Sequence, residues 1–320
     1  MKPSGLPSLF GKILVVTVAT WAISVALAAQ MNAAETRKSF DAPEEAAQSL
    51  VAALKSNDEQ VLLAILGKSL KEWIESGDPV ADRSARDNFI SAYDQKHAIE
   101  HDNDGNANLV IGDDEFPFPI PLVKTKNKWA FDPELGKQEI IDRRVGKNEL
   151  DTMQTLLAIV DAQDEYAALD PLGKGAREYA RHFISSRGKH DGLYWPTTES
   201  EPASPLGELV AEAATAGYRP SGKGGESSNQ PYNGYYFRLL KGQGQHAAGG
   251  KYSYIVNGRM IGGFAVIAWP AKYGASGYKT FIINHDQTIY EADLGPRTGA
   301  LAGDIDTFDP DKKWKKVEAN

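Results

Sequence analysis

The stretch that decides the fold is KNELDTMQTLLAIVDAQDEYAALDPLGKG, residues 147–175. Its apolar side chains recur every three or four residues, which predicts one long amphipathic helix. The stripe consists of Leu150, Met153, Leu156, Leu157, Val160 and Ala168. The turn at residues 170–175 contains one proline and two glycines, which end a helix. The stretch therefore predicts a core helix that opens the second unit of the chain.

Downstream of this helix the pattern changes. We expect a short helix at 179–183, an alanine-rich helix at 205–216 and a glycine-rich loop at 219–231. Strands are predicted at 234–240, 252–256, 261–269, 279–284 and 287–292. A long helix, a loop and an antiparallel sheet in this order resemble the globular part of type II secretion pseudopilins. The pseudopilin processing site and hydrophobic stem do not precede the helix, so pilus assembly does not follow.

Upstream of the long helix, four short helices precede an antiparallel sheet. Asp78 and Pro79 open the fourth helix, where an aspartate can cap and a proline fits the first turn. Strands are predicted at 97–101, 107–112, 118–124 and 128–132. This order resembles the cone-shaped nuclear transport factor 2-like fold. The whole chain is therefore expected to be an α+β protein.

The N-terminus has the three parts of a secretory signal peptide. Lys2 and Lys12 flank the start of an uncharged apolar run at 13–29, and small residues follow. Cleavage near Ala28 predicts a periplasmic protein with no stable membrane span; the alternative is an inner-membrane anchor formed by an uncleaved signal. The expected organisation is a signal peptide at 1–29, a tether at 30–39, an N-terminal domain at 40–146 and a C-terminal domain at 147–320.

Composition excludes several classes of function. The net charge is −8, and loss of Lys2 and Lys12 with the signal makes it −10. An acidic surface repels phosphate backbones, so we expect no nucleic-acid partner. The chain has no cysteine, which removes disulfides, thiol nucleophiles and a lipoprotein anchor. No P-loop or G-x-S-x-G pattern occurs, and we predict neither a cofactor nor a catalytic residue.

Two patterns suggest a metal. His97 and His101 have the spacing that brings two imidazoles to one helix face, but they fall where a strand begins. Asp102, Asp104 and Asn106 resemble the start of a calcium loop, but the twelfth position lacks its glutamate. We favour polar surface residues for the first pattern. For the second we favour a type I′ hairpin turn, and we predict no metal site.

The aromatic residues of the C-terminal unit are the best candidates for binding. Large apolar faces with polar tips suit a ligand groove or a protein interface. The candidate binding residues are Tyr194, Trp195, Tyr235, Tyr236, Arg238, Arg259, His190 and Asp191. The alternative is that alternate residues of the 234–240 strand simply pack the core.

Five stretches in fixed order carry a family resemblance. They are WAFD (129–132), IDRRVGKNEL (141–150), HDGLYWP (190–196), NGYYFRLL (233–240) and VNGRMIGGF (256–264). Together they resemble domain-of-unknown-function family 2950, whose members are exported proteins of Gram-negative bacteria. The resemblance runs from about Phe40 to Trp314. It implies export, but it implies no reaction and no catalytic residues.

The leading hypothesis is an exported, non-catalytic binding or envelope-assembly protein, whose partner is an envelope protein or a small ligand. The rival is a periplasmic, hydrolase-like enzyme with a pocket in the cone of the first domain. Its polar candidates are Asp94, His97, Glu115 and Arg143. A third hypothesis, an assembly factor for a secretion machine, rests on the pseudopilin resemblance alone.

Overall fold

A computed structural model describes residues 37–197, 203–218 and 230–318. The predicted signal peptide at 1–29, most of the tether, and most of the glycine-rich loop at 219–231 lie outside the described residues. Within them the chain is a mixed α+β protein with several antiparallel sheets, as the sequence predicts. None of the described helices is both long and apolar enough to cross a bilayer.

Short helices build one side of the first unit. They are α1 (Pro43–Ser56), α2 (Glu59–Leu66), a 3₁₀ turn (Lys68–Leu70), α3 (Lys71–Ile74) and α4 (Pro79–Gln95). Asp78 caps α4, because its Oδ1 accepts hydrogen bonds from the amides of Val80 and Ala81, both at 3.1 Å. The predicted start of this helix is confirmed.

An antiparallel sheet forms the other side of the first unit. Its strands are β1 (His97–His101), β2 (Ala107–Ile111), β3 (Phe116–Pro117), β4 (Leu122–Thr125) and β5 (Lys128–Phe131). The order is β1-β2-β4-β5, with β3 paired to β2. The predicted strand at 118–124 is wrong in its first half, because the Pro117, Pro119 and Pro121 rings leave only two-residue pairing at β3. Leu50, Ile65 and Phe131 lie in the core between helices and sheet.

The long helix predicted to open the second unit at residue 147 is longer than expected. Helix α5 runs from Pro133 to Leu169, capped by the Asp132 side chain, and is about 55 Å long. The predicted domain boundary at 146 and 147 therefore falls inside one continuous helix. Ile140 packs against the core of the first unit, and Leu156 and Val160 belong to the core of the second.

The second unit packs α5 against a five-stranded antiparallel sheet. Its strands are β8 (Tyr235–Leu240), β13 (Ala265–Pro270), β14 (Lys279–Asn284), β15 (Ile289–Asp293) and β17 (Lys315–Lys316). Their order in the sheet is β17-β15-β14-β13-β8. The remaining elements are β6 (His182–Ile184), β7 (Gly192–Tyr194), α6 (Gly207–Thr215), β9 (Gly242–Gln243), β10 (Tyr252–Ser253), β11 (Ile255–Val256), β12 (Arg259–Met260), α7 (Thr298–Gly303) and β16 (Thr307–Phe308).

Three local predictions in the described part are corrected. The predicted helix at 179–183 is wrong, because His182–Ile184 pairs in parallel with β7. The predicted strand at 252–256 divides between β10 and β11, which pair with different partners. The β1–β2 turn is not type I′: its closing bond runs from the Gly105 amide to the Asp102 carbonyl, and of its residues only Gly105 has positive φ.

Candidate ligand-binding site

A cavity of about 560 Å³ opens where the two units meet. It lies between helices α1–α4, the segment 116–120 and the N-terminal half of α5, and Tyr218 and Asn233 of the second unit close one side. Most of its wall is aliphatic or aromatic. The apolar lining comprises Leu50, Leu54, Leu62, Leu66, Leu70, Ile74, Val80, Phe89, Phe116, Phe118, Ile120 and Ile140.

The charged lining of this cavity is strongly asymmetric. Among the described residues, four cations line it, Arg86, Arg143, Arg144 and Lys147, together with one carboxylate, that of Asp82. Three of the cations bind polar partners of their own. Those partners are Asn57 for Arg86, Glu139 and the Pro117 carbonyl for Arg143, and Asp151 for Lys147.

Arg144 is the exception. In the described part of the chain its guanidinium has neither a hydrogen bond nor an ion pair within 4.0 Å. Burial lowers the pKa of Arg144, and the charge of Asp82 only partly opposes that effect. The half-buried guanidinium of Arg144 has hydrogen-bond donors that no described residue accepts. The guanidinium of Arg144 is therefore available to bind an anion in the cavity.

Asp82 does not accept hydrogen bonds from Arg144. Its two carboxylate oxygens accept from the amide of Ser76 at 3.3 and 3.1 Å. Burial raises the pKa of Asp82, while the Ser76 hydrogen bonds and the charge of Arg144 pull it down. This carboxylate is thus held by the backbone before α4 and leaves the donors of Arg144 open.

Asp78 ties the two units together beside the cavity. Its side chain is buried, with 1% of the residue exposed. While Oδ1 caps α4, Oδ2 accepts from the Tyr218 hydroxyl at 2.8 Å and from the Gly234 amide at 2.9 Å. The Asp78 carboxylate thus joins the start of α4 to residues 218 and 234 of the second unit, both of which are far from Asp78 in sequence.

Other contacts at the same junction involve Tyr218, α5 and Gly234. Burial and the hydrogen bond to Asp78 raise the pKa of the Tyr218 hydroxyl. The Asn148 amide donates to the Ser276 carbonyl at 2.9 Å. Gly234 has φ +78°, and a Cβ there would lie 2.5 Å from Nδ2 of Asn148. Glycine is therefore required at this contact for both backbone and steric reasons.

The eight predicted binding residues divide into two groups, and none of them lines this cavity. In the first group, Trp195 is buried and stacks on His190 with ring centroids 4.5 Å apart. Tyr194 is half-buried on β7. Asp191 accepts from the Ser186 amide at 2.7 Å. Burial alone would raise the pKa of Asp191, but the hydrogen bonds from Ser186 lower it.

The second group lies on and around the second sheet. Tyr235 is fully buried and donates to the Lys279 carbonyl at 3.0 Å, and Tyr236 packs on Trp269. Arg238 bonds Asp306 and three carbonyl groups at the end of α7. Arg259 donates to Glu178 at 2.7 Å. Alternate residues of β8 do pack the core; a binding role for the eight stays a prediction.

The polar candidates of the enzyme hypothesis do not converge. Asp94 pairs with Lys55 and Glu115 pairs with Lys96, each on exposed surface. His97 stacks on the preceding turn of the chain at Tyr93, with ring centroids 3.8 Å apart. Of the four candidates, Arg143 lines the cavity. Within the described ranges no group of three or more histidine or acidic side chains could hold a metal ion.

Sequence reasoning missed the residues that define the cavity, above all Arg144, Tyr218 and Asp82. Two signals were available. Arg144 stands four residues after Ile140 and three after Ile141, which places its side chain on an apolar face of the helix. Asp78 precedes a proline at a helix start, which identifies a cap but not its second set of partners.

The fold and the cavity define a two-unit α+β protein with an apolar, cationic cavity at the junction. A family model described as "Protein of unknown function (DUF2950)" matches residues 37–317. The chain belongs to this family, and the resemblance carried by the five sequence stretches is confirmed. Neither a curated protein nor a solved structure matched it.

Proposed function

We propose that the chain is an exported, non-catalytic binding protein of the cell envelope, and that a small ligand occupies the cavity between its two units. The observation that carries the proposal is the cavity itself. At about 560 Å³ it falls within the range of small-molecule sites, which are mostly apolar with a few polar groups.

The polar groups around the cavity support binding over catalysis. Asp78 is saturated by four donors and Asp82 is held by a backbone amide. A hydrolase needs an acid, base or nucleophile free to exchange a proton with its substrate. No observation favours the rival enzyme at this cavity.

The compartment is part of the proposal. The basic start, apolar run and small-residue exit at 1–29 support export, with cleavage near Ala28 and residence in the periplasm. Cell fractionation and N-terminal sequencing of the mature protein test this directly. Mature protein that begins at Met1 and stays in the inner membrane would replace the periplasmic assignment with an uncleaved anchor.

We also propose that the first unit is a variant of the nuclear transport factor 2-like cone and the second a relative of the pseudopilin globular part. Helices packed on an antiparallel sheet beside a pocket support the first assignment. A long helix against the sheet β17-β15-β14-β13-β8 supports the second. Superposition of each unit on representatives of these two folds tests both assignments, and a different strand order would reject them.

A thermal-shift screen of the mature protein against metabolites, sugars, peptidoglycan fragments and lipids tests ligand binding. A ligand at 100 times its Kd adds about 2.7 kcal/mol, which raises Tm by about 5 °C. The variant Ala81→Phe, which fills the cavity from α4, should lose that shift. Ala300→Phe adds the same ring at an exposed position on α7 and should keep it. A flat screen would refute the proposal.

A further inference from the structure

We infer that the ligand of this cavity is an amphipathic anion: a single alkyl chain that lies along the leucine-rich wall and one carboxylate or phosphate group that binds Arg144. The inference rests on the proposed function and specifies its ligand class. It joins two observations, the apolar wall and the guanidinium without an acceptor.

The apolar wall of the cavity indicates that the tail of the ligand is an alkyl chain. Five leucines from α1, α2 and the 3₁₀ turn face Phe89, Phe118 and Ile140 across the cavity. This apolar part of the wall offers dispersion contacts rather than hydrogen bonds, so a polar group placed against it would lose its hydration without compensation. An alkyl chain gains affinity with each methylene that it buries, by roughly fourfold per group.

Charge specifies the head group. Two of the four lining cations are paired with carboxylates, Arg143 with Glu139 and Lys147 with Asp151. Among the described lining residues this leaves Arg86 and Arg144 against Asp82, a positive balance that attracts an anion. Arg86, Arg143 and Lys147 already have acceptors, whereas Arg144 has none among the described residues. A planar guanidinium matches a carboxylate or phosphate in bidentate geometry. Arg144 is therefore the group that selects the head.

The volume limits the number of tails. About 560 Å³ is the size of a site for one small molecule, and a two-chain phospholipid needs considerably more room. A free single-chain acid and a single-chain phosphate share the required chemistry. A bilayer lipid does not fit this requirement, so vesicles serve as the discriminating control.

Titration calorimetry of the mature protein tests the inference with probes that share one tail. Dodecanoate and dodecyl phosphate should bind, while dodecanol and dodecyltrimethylammonium should bind at least tenfold more weakly. Decanoate should bind more weakly than dodecanoate by roughly fourfold per methylene. Dioleoylphosphatidylglycerol vesicles should show no saturable binding.

Variants assign the head group to Arg144. Arg144→Gln should weaken dodecanoate binding by at least tenfold, as expected for a lost charge-assisted hydrogen bond, and leave dodecanol within twofold. Arg177→Gln removes an exposed arginine paired with Asp164 and should change neither value. Circular dichroism and Tm verify that both variants fold.

The outcomes separate this inference from the proposed function. Equal affinity for dodecanoate and dodecanol, or unchanged dodecanoate binding in Arg144→Gln, overturns the anionic head. Saturable binding of vesicles but not of single-chain probes overturns the single tail. Loss of every amphiphile combined with a hit of another class in the thermal-shift screen overturns the inference and leaves the binding function standing. Failure in both assays removes both.

Discussion

At the scale of single residues, the junction depends on one buried carboxylate. Asp78 accepts four hydrogen bonds, two from its own helix and two from the second unit. A buried carboxylate without a counter-cation is tolerable when its lone pairs are satisfied by donors of this kind. Loss of any donor should therefore be felt in the stability of the whole chain.

The first prediction concerns Tyr218→Phe. It removes the hydroxyl donor to Asp78 and should lower the free energy of unfolding by about 2 kcal/mol, because hydrogen bonds to charged groups are worth about 1.5–3 kcal/mol. Urea denaturation measures the change. Tyr273→Phe is the matched control, since its hydroxyl bonds Asp293 on exposed surface and should cost under about 0.5 kcal/mol. Equal effects in the two variants would contradict the assignment.

The second prediction concerns pH. The folded-state pKa of Tyr218 is raised above the unfolded value near 10 by burial and by Asp78. Its contribution is therefore fully present below pH 10 and is lost as pH rises above it. The stability advantage of the wild type over Tyr218→Phe should shrink by about 1.4 kcal/mol per pH unit above pH 10. Denaturation between pH 8 and 11 measures it; a constant difference would refute the effect.

At the scale of elements, two glycines of α5 offer a matched pair. A Cβ at Gly136 would lie 2.4 Å from the Pro119 carbonyl oxygen and 2.7 Å from Cα of Ile120, whereas one at Gly146 would meet nothing within 4 Å. The close approach at Gly136 sets the distance between α5 and the segment that forms one cavity wall.

The third prediction follows from this pair. Gly146→Ala should stabilise the protein by about 0.5–1 kcal/mol, because it restricts the unfolded chain and favours the helix. Gly136→Ala should destabilise it by about 1–3 kcal/mol through a backbone clash. Thermal unfolding of both variants measures these shifts. A gain in stability at both positions would show that α5 does not pack closely on residues 119 and 120.

The elements also show where sequence reasoning succeeds and where it stops. The strand at 97–101 and the end of the long helix are local signals, and both are confirmed. The start of α5 was placed too late, because Gly136 and Gly146 interrupt the apolar periodicity while packing and the Asp132 cap extend the helix. The local sequence predicts a helix at 179–183, but residues 182–184 form a strand because pairing with β7 is a tertiary contact that local patterns do not show.

The cavity could not be predicted from local patterns in the sequence. Arg144, Tyr218 and Asp82 are far apart in sequence and meet because Asp78 and Asn148 bring α4 and α5 to the second unit. Periodicity marks buried faces, but it does not show which side chain in the space between faces lacks a partner. The aromatic cluster was more visible in the sequence, since eight polar and aromatic residues stand in three short stretches.

At the scale of the whole molecule, α5 links the two hydrophobic cores. Its first third packs on the core that contains Leu50 and Phe131, and its second half on the core that contains Tyr235 and Phe281. The Asp78 contacts couple the same two units at a second point. The chain therefore has two cores that share one rigid element.

The fourth prediction is cooperative unfolding. Because α5 and Asp78 couple the units, calorimetry of the protein should give one transition with equal calorimetric and van't Hoff enthalpies. Two resolved transitions would contradict the coupling and favour independent units on either side of residue 146. Tyr218→Phe should lower the calorimetric midpoint while keeping a single transition, since α5 stays continuous.

The most direct test of the central claim, a small ligand held between the units, is native mass spectrometry of the protein purified from the envelope. We expect a non-covalent small molecule on the wild type and on Ala300→Phe, and its loss from Ala81→Phe with the fold intact. Wild-type protein that carries no small molecule and takes up none from an envelope extract, or a folded Ala81→Phe that retains one, would contradict it.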